Sequence, residues 1–346
     1  MMPEEWPIGA APGEPPLTQP RARGRDRLRT VRADFFLDPG ERLTEQERAL
    51  MTAMLHCLVS DIVDELRAAL PLSAAANDAS NLPVIQCLAD ACLLDRAWLV
   101  RLLLRRADEE RISTAAKSRT GRRDARVLQA LVSHSDGAVA AAAMSLIIAR
   151  GRRRDRFGQC LLHFDDLPVE EASALVHAIA AALRPELLNG RRPAAVDHML
   201  AEASGEILTR QDPSSSIEAL SATLARLLHE ERALSDELIV SAGIEGEMIF
   251  VAHALARRAD VRGGIAFDEL MSGDPRRSMA VLRMAGLSRQ SAAGLLAGIG
   301  DLLGITDPGR AISVFDALGD PEVEDARAWL TTDPHYRGAV AAIEER

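Results

Sequence analysis

Between residues 44 and 70 the apolar positions fall as adjacent pairs every four residues: Leu50/Met51, Met54/Leu55, Leu58/Val59 and Ile62/Val63. At 3.6 residues per turn each four-residue step advances the pair by about 40°, so the stripe drifts around the helix and meets different neighbours along its length. Thr44, with Glu47 three residues later, gives this helix a capping-box start. The same periodicity predicts helices over 81–93, 95–110, 122–134, 136–150, 154–163, 168–184, 192–210, 214–232, 235–243 and 245–259. It continues over 265–272, 275–285, 288–303, 308–318, 321–330 and 334–345. Ala138 to Ala149 is apolar on every face and is expected as a central buried helix. From Ser214 to Arg232 the stripe Ile217, Leu220, Leu224, Leu227, Leu228 leaves Glu218, Arg226, Glu230 and Glu231 outside it, the pattern of a surface helix.

Six Asp-Pro dipeptides punctuate this pattern, at Asp38, Asp212, Asp274, Asp307, Asp320 and Asp333. Aspartate at an N-cap accepts from the free N–H groups of the first turn, and proline at the first helical position loses no bond it would otherwise make. The chain after residue 210 therefore reads as short, separately capped helices. Aromatic residues make up only 3% of the chain, so the interior must be built from Ala, Leu, Val and Ile, and little is left from which to make strands. The expected fold class is all-α. Ile239-x-x-Ala242-Gly243-Ile244 recurs as Leu282-x-x-Ala285-Gly286-Leu287, a shift of 43 residues, which falls in the range of HEAT and armadillo units. That suggests a HEAT-like helical-repeat array, an α-solenoid. The organisation expected is a Pro/Arg-rich N-terminal arm over 1–33, a helical-repeat lobe over 34–210 and a second over 211–346.

Three stretches carry a resemblance: the opening helix from Leu43 to Arg67, the segment Ala149 to Gly158, and Ala285 to Ile305 together with Asp333 to Arg337. In these the chain resembles an uncharacterised bacterial family of unknown function with HEAT-like helical repeats. The resemblance spans most of 34–346 and implies a helical fold; it brings no substrate or catalytic residue with it.

Charge is uneven. The chain carries 41 basic and 51 acidic residues; residues 1–160 hold a net +3 and residues 161–346 a net −13. Such asymmetry bears on partners more than on fold. The arm contains Arg21, Arg23, Arg25, Arg27, Arg29 and Arg32, which could touch the acidic half of the chain. The four cysteines, Cys57, Cys87, Cys92 and Cys160, lie in apolar helical stretches and read as buried free thiols of a reducing compartment. With no signal pattern and no apolar run near 20 residues, a cytoplasmic protein without membrane insertion is expected.

No sequence motif assigns chemistry. Gly294, Gly298, Gly300 and Gly304 do not form a nucleotide fingerprint, which needs a strand before its helix; spacing of about four suits close helix packing instead. Cys160 and His163 share a face of the expected 154–163 helix, but no second pair completes a zinc site. No nucleophile elbow and no HExxH occurs, and Asp165/Asp166 and Glu170/Glu171 fit a helix start. No cofactor, metal or catalytic residue is expected. What remains is a crowd of arginines at one helix junction, Arg150, Arg152, Arg153, Arg154 and Arg156, with Arg101, Arg105 and Arg106 on another helix. The reading is a non-enzymatic interaction protein that binds a protein partner through a concave face or through these turns. A nucleic-acid binder using Arg122, Arg123, Arg126 and the same cluster, and an enzyme with an unrecognised site, are the alternatives; oligomeric state is left open.

Overall fold

The protein is represented by a computed structural model that describes residues 43–70, 80–121, 126–188 and 191–344. The expected arm over 1–33, Asp38, Arg122 and Arg123 lie outside the described residues. Within them the chain is all-α, as the composition requires. The helices are α1 (Glu45–Ala69), α2 (Leu82–Asp90), α3 (Ala97–Thr120), α4 (Arg126–Leu131), α5 (Gly137–Arg152), α6 (Val169–Leu187), α7 (Pro193–Arg210) and α8 (Ile217–Glu230). They are followed by α9 (Asp236–Ile244), α10 (Met248–Ala259), α11 (Gly263–Leu270), α12 (Pro275–Met284), α13 (Arg289–Ile299), α14 (Pro308–Ala317), α15 (Asp320–Thr331) and α16 (Pro334–Glu344).

Aspartate and proline set several of the starts. The carboxylates of Asp212, Asp274 and Asp307 accept from Ser214 N, Arg276 N and Arg310 N, and Asp333 accepts from His335 N and Tyr336 N. Asp320 departs from this rule. Gly319 is the N-cap of α15, and Glu322 reaches back to accept from Gly319 N at 2.7 Å, leaving Asp320 inside the first turn. At the other end of the scale α3 runs 24 residues until Gly121, in the left-handed region at φ 64°, stops it.

Burial follows two cores. One is built from α1, α2, the first half of α3 (Leu99, Leu102, Leu103, Ala107), Leu162, Leu167, α6 and α7. The other takes Ile112 from the second half of α3, then α4, α5 and α8 through α15. The chain thus leaves the first core after Ala107, contributes α4 and α5 to the second, and returns at Leu162. α1 buries Met54, Leu58, Val59, Ile62, Val63 and Leu66 and touches α3, α6 and α7 in turn, as its drifting stripe demands.

The central helix is α10. Nine of its twelve residues are buried, and α3, α8, α9, α11 and α12 all pack on it. Glycine brings α9 and α13 together: a Cβ at Gly298 would stand 2.6 Å from Ile244, one at Gly294 3.5 Å from Val240, and one at Gly243 would run into Leu295. That is the close helix approach expected of these glycines.

Candidate interaction surface

α5 begins where Asp136 accepts from Val139 N at 2.8 Å, and its alanine-rich sequence propagates well. It does not occupy the central position its composition suggested. Val139, Ala142, Ala143, Leu146 and Ala149 are buried, while Ala138, Ala141, Met144, Ser145 and Ile148 form an exposed face. Met144 and Ile148 keep 43% and 47% of their surface, an uncharged strip that leads to the exposed Arg152. The expectation failed because outer residues as apolar as the inner ones leave no polar face for periodicity to detect.

The helix expected over 154–163 is absent. Arg153 and Arg154 turn the chain, Arg154 bridges to Cys160 in antiparallel fashion, and Gly158 takes φ 82°. Asp155 organises this turn: its carboxylate accepts from Phe157 N and Gln159 N, both at 2.8 Å, while its own N–H donates to Gln159 O. Local side-chain bonds of this kind compete with a helix and here displace it. At the tip, Phe157 is 75% exposed and the Arg156 guanidinium stacks on its ring at 4.7 Å.

The five candidate arginines consequently separate. Arg153 is buried and chelates Asp166 through Nε at 3.0 and 2.9 Å, with further bonds to Ala149 O and Ser215 O. Arg150 pairs with Glu247 and lies 3.8 Å from Glu109. Arg154 forks onto Glu110 at 3.1 and 2.7 Å. Arg152 and Arg156 are exposed, and neither guanidinium has an ion-pair partner among the described residues. Of the three earlier arginines, Arg105 chelates Asp268, Arg101 approaches the same carboxylate only to 4.0 Å, and Arg106 is fully buried among Glu218 (2.7 Å), Glu109 (3.5 Å) and Asp166 (3.7 Å).

Electrostatics in this interior follow from burial and pairing. Burial alone would raise the Asp166 pKa, but Arg106 and Arg153 together hold it below the ordinary carboxylate value. Glu109 is pushed up, chiefly by burial. Burial, with Glu109 beside it, drives the Cys160 thiol to about 12, so this cysteine is held as the neutral thiol. Burial lowers His253, which neighbours Glu218, Arg105 and Arg106, to about 4.

The other sequence candidates do not converge. Cys57, Cys87 and Cys92 are exposed and not buried as expected; an apolar stretch does not by itself fix which face a thiol occupies. His163 caps the short 3-10 turn Phe164–Asp166, away from any ligand set. Among the described residues no group of three or more His, Cys, Asp or Glu side chains could hold a metal, and no helix is long and apolar enough to cross a membrane. Sequence reasoning missed Phe157, although its place between Arg156 and a glycine was the signal available. It also missed the exposed α5 face. A family model described as an uncharacterised protein conserved in bacteria (DUF2336) matches residues 120–319. No curated protein and no solved structure matches the chain.

Proposed function

The chain belongs to this DUF2336 family of uncharacterised bacterial proteins, and from its surface we propose that it is a non-enzymatic protein-binding module. The observation that carries this reading is the strip formed by Met144, Ile148, Arg152, Arg156 and Phe157. It joins an uncharged helix face to two guanidiniums with no ion-pair partner among the described residues and to an exposed aromatic ring held on a braced turn. Aromatic and Arg side chains are the residue types that dominate interface energetics, and a turn fixed in advance loses little entropy on binding. The occupant is an acidic amphipathic segment of a partner protein, its apolar side on Met144 and Ile148 and its carboxylates on Arg152 and Arg156. The finer architecture enters the same reading: α9–α10 and α12–α13 are two divergent copies of a HEAT-like helix pair, supported by the 43-residue recurrence and by similar lengths of 9 and 12 against 10 and 11 residues. A bacterial cytoplasmic setting suits such a module.

The test uses the full chain and a variant carrying Arg152→Glu, Arg156→Glu and Phe157→Ser as bait in native lysate. Each recovered polypeptide is then purified and its direct affinity measured. A partner that binds the wild type directly and the variant about a hundredfold more weakly supports the proposal. Equal direct affinity for both overturns it, as does retention that disappears with nuclease and weakens steeply with salt, the signature of a nucleic-acid binder.

A further inference from the structure

Two exposed apolar surfaces of this chain carry charges of opposite sign. One is the strip on α5 and the turn that follows it. The other lies at the end of the chain, where Trp329, Tyr336 and Ile343 keep 43%, 58% and 73% of their surface, as open as the strip, and the Trp329 and Tyr336 rings meet edge to face at 6.5 Å. α15 brings four exposed carboxylates to this end, Asp320, Glu322, Glu324 and Asp325, against the single Arg327. Asp325 stands four residues before Trp329 and Glu322 three residues before that, so the three share one face of the helix.

Beside this face α15 and α12 leave a groove of about 300 Å³, walled by Ala280, Leu318, Ala326, Trp329 and Leu330, with Glu322 at its edge. Arg276, Arg277 and Glu269 line it as well, but Arg277 forks onto Glu269 at 2.7 and 2.8 Å, and Arg327 lies 3.6 Å from Glu324. Arg276 is thus set against Asp320, Glu322 and Asp325, and the surface stays acidic. An exposed groove of this composition suits an occupant that brings an apolar anchor and positive charge together.

We infer that the occupant is a second copy of this chain, the α5 strip of one molecule seating on the α15 face of the next. The inference rests on the strip being an interaction surface and names a partner for it. Phe157 enters the groove beside Trp329, Arg152 and Arg156 meet Glu322 and Asp325, and Met144 and Ile148 pack on Tyr336 and Ile343. Arg152, Arg156 and Asp325 have no ion-pair partner among the described residues, so the contact matches charges that one chain alone does not pair. Both surfaces are exposed in the same molecule, so neither covers the other. A strip-to-groove contact joins unlike surfaces, and each added copy presents a fresh strip or a fresh groove; the product is an open chain or a ring, not a two-fold dimer.

The experiment is analytical ultracentrifugation of the purified full chain from about 1 µM to about 500 µM, since a contact this small implies a Kd of about 10–100 µM. The wild type should gain mass with concentration and pass beyond the dimer. The strip variant Arg152→Glu, Arg156→Glu, Phe157→Ser and a groove variant Asp325→Arg, Trp329→Ser should each associate at least about tenfold more weakly. Mixed in equal amounts, the two should form a 1:1 dimer that grows no further, because only one intact strip and one intact groove are present per pair. If the groove variant fails to fold, Asp325→Arg alone takes its place, since this exposed carboxylate has no ion-pair partner among the described residues to lose. A wild type that stays monomeric throughout overturns the inference, and it does so without touching the protein-binding reading if the lysate experiment still yields a strip-dependent partner. Undiminished assembly of the strip variant, which would mean groove meeting groove, overturns it too, as does a mixture that remains monomeric.

Discussion

Arg153 and Arg156 are three residues apart and live in opposite worlds. The first is buried, with both oxygens of Asp166 and two backbone carbonyls around its guanidinium; the second stands in solvent over a phenyl ring. Neither the residue type nor its immediate neighbours distinguish them. What does is the supply of carboxylates from distant chain: Asp166, Glu109, Glu218 and Glu247 surround the inward arginines, and none reaches the outward ones. A dense run of arginine is thus two systems, one that ties the interior together and one that stands in solvent.

The sharpest way to break this distinction is Asp166→Ala. It takes from the buried Arg153 its carboxylate and from Arg106 one of three, and the unfolding free energy should fall by about 3–5 kcal/mol in urea titration, since breaking a buried pair leaves an uncompensated charge. A loss below about 1 kcal/mol would show that the inward arginines are not tied as described.

Acid gives a second handle on the interior. Burial holds the His253 pKa near 4 against 6.5 for a free histidine, so the unfolded chain binds a proton that the folded chain refuses. This contribution is complete above about pH 6.5 and is lost as pH falls through 4, a change of up to about 3 kcal/mol. Asp166, also held low, loses stabilisation in the same direction on acidification. In His253→Gln the stability curve between pH 6.5 and 4 should therefore be flatter than in the wild type, and parallel curves would contradict the buried neutral imidazole.

Smaller effects sharpen the contrast from outside the network. Asp307→Ala removes a cap that accepts from Arg310 N and should cost about 1 kcal/mol, whereas Asp320→Ala, with Gly319 and Glu322 already closing α15, should cost less than about 0.5 kcal/mol. Thermal unfolding of the two variants separates them. The smallest change is expected for Arg152→Ala with Arg156→Ala: stability within about 0.5 kcal/mol of wild type, because neither guanidinium has a carboxylate to lose among the described residues. A larger drop would place the outward arginines in the interior system after all.

Much of the helical order was legible because it is local. Asp-Pro caps mark α12 and α14, and the glycines of α13 announced a close helix approach, whose partner the structure shows to be α9. The turn at 154–160 was not legible, since Asp155 must choose between a helix and its own backbone bonds, a choice that apolar periodicity does not register. Nor was the arginine network. Arg106 and Glu218 lie 112 residues apart, and Glu218 looked like a solvent-side residue because it falls outside the apolar stripe together with Arg226 and Glu230, which are exposed. Membership of a buried ion cluster depends on tertiary placement, and one sequence carries no trace of it.

The interleaving of the two cores has a consequence for how the chain emerges from the ribosome. α3, about 36 Å long, joins both cores, and α4 and α5 are made well before their partners α8 to α15 exist. When α7 has been synthesised the first core can close, yet the inner face of α5, with Val139, Leu146 and their neighbours, is still uncovered and Arg106 still lacks Glu218. A nascent chain of that length exposes apolar surface of the kind that chaperones and proteases act on, and both the cover over α5 and the partner of Arg106 arrive with α8.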